Sequence, residues 1–169
     1  YNGPGNSTDI PTALAIDGTG NVYVTGLSED SETHFDYVTI KYDASGNQLW
    51  VVRYGDPWNN ELAGAIALDG SGNVYVSGVV SGVGVLATIK YDTNGNQLWV
   101  AQHSGASVLN SDLAVDGYSN VYVTSSSYNS ESSFDYVTIK YDANGNQLWD
   151  ALYNGPGNST DIPTALAID

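Results

Sequence analysis

Residues 17–28 read DGTGNVYVTGLS, and this stretch returns twice along the chain. Residues 69–80 read DGSGNVYVSGVV, and residues 116–127 read DGYSNVYVTSSS. Each copy places an Asp-Gly turn before a segment of alternating β-branched and aromatic residues, which is typical of a tight turn leading into a β-strand. A repeat of this kind predicts a fold built several times from one structural unit.

A second motif extends each copy. TIKYD, a turn that ends in Gly-Asn, and QLW follow one another at 39–50, 88–99 and 138–149. No stretch of helical length shows a 3.6-residue apolar period. Four short strands per unit of about 50 residues is the pattern of a β-propeller blade. In the first unit we predict strands at 13–17, 22–25, 37–43 and 48–53, the first near the central axis and the fourth at the rim.

The chain contains three repeats and then the start of a fourth. Residues 1–17 recur unchanged as 153–169. We therefore predict an all-β fold, a β-propeller segment of four-stranded antiparallel blades that forms an incomplete ring. A single domain, 1–169, holds three blades plus one strand of a fourth. The blades span about 12–54, 62–103 and 111–153, and the fourth repeat begins at 154–169.

Composition and charge exclude several kinds of partner. The 169 residues contain 4 Lys and Arg, 19 Asp and Glu and no Cys, for a net charge of −15. Disulfides and thiolate metal sites are therefore excluded, and nucleic acids and anionic membrane surfaces would be repelled. The sequence contains no run of 18 or more apolar residues, which a membrane-spanning helix would need, and we expect any export signal to lie outside these residues. His34 and His103 lie near no nucleophile motif, so we do not expect an enzyme.

The DGTGNVYVTGLS stretch at 17–28 resembles the SBBP-type β-propeller repeat of bacteria and archaea. The third copy is the weakest match, because Ser119 and Ser125 replace glycines. The resemblance implies a non-enzymatic scaffold, extracellular or at the cell surface, often with about seven blades. It brings no catalytic residues with it.

Ring closure decides which partners we expect. Propellers close with about four to eight blades, so three blades leave two faces open. Either further blades of a longer chain cover these faces, or copies of the chain assemble. Because 153–169 repeats 1–17, its strand could occupy the place of the first strand in another copy, in a head-to-tail contact.

Metal binding has two candidate locations. The repeated Asp-containing turns could suggest Ca²⁺, but each has one carboxylate, and calcium loops need several. The better candidate is the acidic loop of Glu29, Asp30, Glu32 and Asp36. A solvated acidic loop remains the simpler interpretation, so we predict no cofactor.

Aromatic and basic residues recur in step with the repeat. Trp50, Trp99 and Trp149 predict packing between blades rather than sugar-stacking platforms. The lysines at 41, 90 and 140 predict structural pairs with an Asp, the alternative being a cationic ring for an anionic ligand. Trp58 interrupts the series and, with Tyr54, is our candidate for ligand contact. The predicted function is a scaffold or self-assembly unit. The alternative is a module that binds a carbohydrate, peptide or cation through its length-variable loops.

Overall fold

The computed structural model describes residues 1–29, 34–130 and 133–168. Within these ranges the chain forms β-strands and no helix, and accordingly no helix that could cross a membrane. The strands form three four-stranded sheets, in which each strand pairs antiparallel with the next along the chain. This confirms the predicted all-β fold of four-stranded antiparallel units. Each sheet is open.

The strands of sheet 1 are β1 (Asp9–Ile16), β2 (Val22–Glu29), β3 (Phe35–Tyr42) and β4 (Gln48–Tyr54). Those of sheet 2 are β5 (Asn60–Leu68), β6 (Val74–Ser81), β7 (Val85–Tyr91) and β8 (Gln97–Ser104). Those of sheet 3 are β9 (Ala106–Val115), β10 (Val121–Asn129), β11 (Ser133–Tyr141) and β12 (Gln147–Tyr153).

Within each sheet, the first and second strands and the third and fourth strands are joined by tight turns, six in all among the described residues, and each of these turns is built around one Asp. In the first, the carboxylate of Asp17 accepts hydrogen bonds from the amides of Thr19 and Asn21, at 2.9 and 3.0 Å, and from the Asn21 side chain at 2.7 Å. This bonding, led by the Asn21 side chain, holds the pKa of Asp17 well below its usual range. The same arrangement recurs at Asp43, Asp69, Asp92, Asp116 and Asp142. These aspartates therefore stabilise the turns through hydrogen bonds with backbone amides of the same turn.

The three sheets stack in chain order. Strand β5 contacts β1, β2 and β3, and β9 contacts β5, β6 and β7, so sheet 2 lies between the other two. Two apolar clusters fill the two junctions. The first strands of successive sheets contact one another, as expected for strands near a common axis.

A bulge in the first strand requires glycine on the strand beside it. The register shifts between Pro11 and Ala13 in β1. A Cβ placed on Gly26 would lie 2.1 Å from the carbonyl oxygen of Ile10, and Gly78 meets Leu62 in the same way. Only glycine allows so close a backbone approach. The third repeat has Ser125 at this position, and there the register shift falls elsewhere, between Ser125 and Ser127.

The predicted strand of a fourth repeat is wrong. Residues 154–168 are all described, and they contain no strand. A strand needs a hydrogen-bonded neighbour. In the first repeat that neighbour is β2, and the described residues beyond 153 include no strand that pairs with 161–168.

Candidate functional site

At the junction between sheets 1 and 2, one backbone carbonyl of sheet 2 accepts hydrogen bonds from two side chains of sheet 1. The indole nitrogen of Trp50 donates to the carbonyl oxygen of Thr93 at 3.1 Å, and Nζ of Lys41 donates to the same oxygen at 3.3 Å. A Cβ on Gly95 would lie 3.1 Å from the Trp50 ring. The glycine of this turn thus lets the indole lie directly against the backbone of sheet 2.

The junction between sheets 2 and 3 repeats this contact one unit later. Trp99 donates to the carbonyl oxygen of Ala143 at 3.1 Å, and Lys90 donates to it at 3.3 Å. A Cβ on Gly145 would lie 2.7 Å from the Trp99 ring. The same three residue types at the same repeat positions therefore make the contact twice within one chain. This confirms the predicted packing of Trp50 and Trp99 between sheets.

Within each sheet, the Lys and Trp donors pack against a Tyr ring of the same sheet. In sheet 1, Nζ of Lys41 lies 5.0 Å above the centre of the Tyr23 ring, and Trp50 meets that ring edge-on at 6.0 Å. The Tyr23 hydroxyl is bonded to Asp17. Lys41 and Lys90 thus each contact an aromatic ring and a carbonyl. Of the predicted pairs between a lysine and an Asp, the described residues contain the one between Lys90 and Asp69, at 4.0 Å. This cation–π contact favours a charged lysine that is largely removed from water.

Sheet 3 contains the same arrangement without the partner. Nζ of Lys140 lies 4.8 Å above the Tyr122 ring, and Trp149 meets that ring at 6.3 Å. Among the described residues, neither the indole nitrogen of Trp149 nor Nζ of Lys140 has a hydrogen-bond acceptor. Trp149 is 43% exposed, whereas Trp50 and Trp99 are half-buried. We call Lys140, Trp149 and the exposed Tyr153 the open face of sheet 3.

Sheet 1 presents the complementary half. Ala44 stands at the repeat position of Thr93 and Ala143, and Gly46 at that of Gly95 and Gly145. No described atom lies within 4 Å of a Cβ placed on Gly46. Val24, Tyr42, Ala44 and Gly46 form what we call the open face of sheet 1.

Burial distinguishes this face from its counterparts in the other sheets. Val24 and Tyr42 are half-buried. The residues that match them are almost completely buried in sheet 2, where they are Val76 and Tyr91, and in sheet 3, where they are Val123 and Tyr141. Packing of the preceding sheet accounts for the difference.

The sequence predicted the tryptophans and lysines of these faces but not the carbonyl and glycine that receive them. Gly46, Gly95 and Gly145 were interpreted only as turn residues. All three have a positive φ of 84–85°, which by itself accounts for glycine at these positions. The contact of Gly95 and Gly145 with the Trp of the preceding sheet therefore has no separate signal in the sequence.

The two described residues of the predicted acidic cluster, Glu29 and Asp36, have different partners. Asp36 forms an ion pair with Arg53 at 2.9 Å. The carboxylate of Glu29 accepts hydrogen bonds from the Ser7 hydroxyl and from the Thr8 amide. Asp30 and Glu32 lie outside the described residues. Within the described part of the chain, no group of three metal-ligating side chains comes together.

The predicted ligand-contact residues have different surroundings. Trp58 is 83% exposed, in a turn whose amide at Trp58 donates to Asp56. Tyr54 packs on Tyr37 with ring centres 5.5 Å apart, and its hydroxyl accepts a bond from Gln102 of sheet 2. Tyr54 thus contributes to the junction between sheets. The involvement of either residue in ligand binding stays a prediction.

Comparison with known proteins gives one family match. Residues 1–30 match the SBBP family model, a β-propeller repeat. The SBBP match includes the DGTGNVYVTGLS stretch, which confirms the resemblance drawn from it. Among solved structures, the chain is similar to a fucose lectin from Kordia zhangzhouensis in complex with methyl-fucoside. The identity is 15% and the TM-score 0.49, over 84% of this chain and 98% of that chain. No curated protein matches the chain.

Proposed function

We propose that this chain is a non-catalytic structural module, which associates with further sheets of the same repeat through the open faces of sheets 1 and 3. One observation supports this most strongly. The contact of Trp and Lys with a turn carbonyl occurs twice inside the chain, and one unused half remains at each end of the stack. A second set of the same sheets supplies the missing half at either end.

Burial of apolar surface favours this association, because the surface exposed at the open faces has counterparts that are buried at the two internal junctions. The half-exposed indole of Trp149 gains apolar contact and a hydrogen bond when it meets the Ala44 carbonyl and the open backbone at Gly46. Exposed aromatic surface next to unpaired donors favours association. The sheets that cover these faces belong either to a longer chain or to another copy. We place the module outside the cell or at its surface, which rests on the family resemblance alone.

Light scattering after size exclusion, over a range of concentrations, tests the proposal. We expect the chain to associate, and Trp149→Ala to weaken this association about tenfold or more, because central aromatic residues dominate interface energies. Leu148→Ala is the matched control. Leu148 is 53% exposed, and its counterparts Leu49 and Leu98 are 53% and 52% exposed, so this position does not take part in stacking.

Two results would refute the proposal. One is a chain that stays monomeric at every concentration. The other is an association that Trp149→Ala leaves at the strength seen with Leu148→Ala.

A further inference from the structure

The turn at 154–161, near the end of the chain, has the same structure as the turn at 2–9. The amide of Gly155 donates to Asp161 at 2.7 Å, as that of Gly3 donates to Asp9 at 2.9 Å. Asn158 has a φ of 46°, and its counterpart Asn6 has a φ of 47°. The duplicated sequence therefore reproduces its local structure up to the point where the strand should begin.

Residues 161–168 lie where the first strand of a fourth sheet would lie. The Asp161 amide donates to the carbonyl of Phe134, and the Leu166 amide donates to the carboxylate of Asp112, both in sheet 3. Four residues at one repeat position line a single central cavity: Thr12, Gly64, Ser111 and Thr164. The segment thus follows the path from sheet 3 toward the axis without a strand beside it.

A second copy docked on sheet 3 would bring two segments of identical sequence to one place: its own β1 and residues 161–168 of the first copy. Its sheet 1 would meet Trp149 and Lys140, and its β1 would arrive at the position held by residues 161–168. Only one of the two strands can pair with the incoming β2. Strand β1 is weakly covered, since Leu14 is 63% exposed and Ile16 is exposed to a similar extent.

We propose that residues 161–168 of one copy replace β1 of the next copy and pair with its β2. This inference rests on the proposed function. The register is that of β1, so that Leu166 lies opposite Val24, as Leu14 does within one chain. The two strands have one sequence, so the ladder they form with β2 is the same. The folded turn at 154–161 holds the C-terminal strand close to the docked copy, which raises its effective concentration. The released β1 then becomes free in the second copy.

The absence of cysteine in the chain makes a clean crosslinking test possible. One chain carries Val24→Cys with a mass tag, a second carries Leu166→Cys, and the mixture is oxidised. Residues directly opposite in an antiparallel pair are close enough for a disulfide. We expect a disulfide-linked product of combined mass, in at least about tenfold excess over a control mixture in which Leu148→Cys replaces Leu166→Cys. A single chain with both Leu14→Cys and Val24→Cys reports the unexchanged strand.

The outcomes separate the two proposals. If the chain associates and the 14–24 disulfide forms within each chain, but the 24–166 product does not exceed the control, strand exchange is wrong and the proposed function stands. If the chain does not associate, the proposed function fails and the exchange with it.

Discussion

Residues 9–16 and 161–168 have the same eight-residue sequence, DIPTALAI, and different structures. The first is strand β1, paired with β2 over its length, and the second contains no strand. Intrinsic propensity is identical in the two segments, so it cannot account for the difference. What differs is the neighbour, and the comparison shows that strand formation here depends on a pairing partner.

The segments just before these two behave in the opposite way. Residues 2–8 and 154–160 also share their sequence, and they adopt the same turn. Asn2 bonds Asn6 at 2.7 Å, and Asn154 bonds Asn158 at 2.6 Å. These contacts span four residues and need no other part of the chain. Local chemistry is therefore sufficient for the turn but not for the strand.

Gly26→Ala should have the largest effect on stability and should make residues 9–16 as unprotected from hydrogen exchange as residues 161–168. The new Cβ would lie 2.1 Å from the Ile10 carbonyl oxygen and 2.8 Å from Cα of Pro11, so β1 must move away from β2. We expect unfolding free energy to fall by about 3 kcal/mol. Amides of residues 10–16 should then exchange with deuterium as fast as those of 162–168. Exchange is measured by NMR, or by mass spectrometry of peptides that extend past residue 17. Peptides from within the two duplicated segments have equal mass and cannot be distinguished.

Gly18→Ala is the control for this prediction. No described atom lies within 4 Å of a Cβ at that position, so we expect stability to change by less than about 0.5 kcal/mol. Slow exchange in residues 10–16 of the Gly26→Ala variant would contradict the argument that this backbone approach holds β1 in place.

Features that depend on nearby residues could be predicted from the sequence. The six Asp-containing turns and the four-stranded units follow from spacing, because each turn is closed by bonds within five residues. The fate of residues 161–168 could not be predicted in this way, since it depends on a partner strand. The same holds for the Ala44 carbonyl and for Gly46. Only comparison with Thr93 and Gly95, which contact a preceding sheet, shows what these residues lack.

Glu61 shows what the first position of this strand becomes when it is buried between sheets. It occupies in β5 the repeat position of Asp9 and Asp161, and it is 1% exposed. Burial, followed by the charges of Asp56 and Asp36, raises its pKa to about 7. A raised carboxyl pKa means that the folded protein loses stability as pH rises from the ordinary value to about 7, and that this loss levels off at higher pH.

Glu61→Gln should therefore stabilise the protein at high pH only. We expect a gain of about 2 kcal/mol at pH 8, and little difference from the parent at about pH 4. Denaturant unfolding at both pH values measures this. A gain of equal size at both would mean that charge at Glu61 is not the cause.

The matched pair Asp9→Asn and Asp161→Asn should give the smallest effect. Each carboxylate accepts a hydrogen bond from the amide of a turn glycine, but only Asp9 belongs to a paired strand. Burial raises the pKa of Asp9, but the neighbouring Ser28 hydroxyl, the Gly3 amide and the charge of Arg53 together lower it by more, so that it lies below its ordinary value. The ionised form thus stabilises the fold above that value, and the contribution is lost as pH falls through the lowered pKa.

Urea unfolding at pH 7 measures the effect. We expect Asp9→Asn to lower the free energy of unfolding by about 1 kcal/mol, and Asp161→Asn to lower it by less than about half of that. The cost of Asp9→Asn should shrink as pH falls through the lowered pKa of Asp9, because the parent carboxylate is then protonated as well. Equal costs for the two substitutions at pH 7 would show that the turn alone, which both segments share, accounts for the stabilisation by this aspartate.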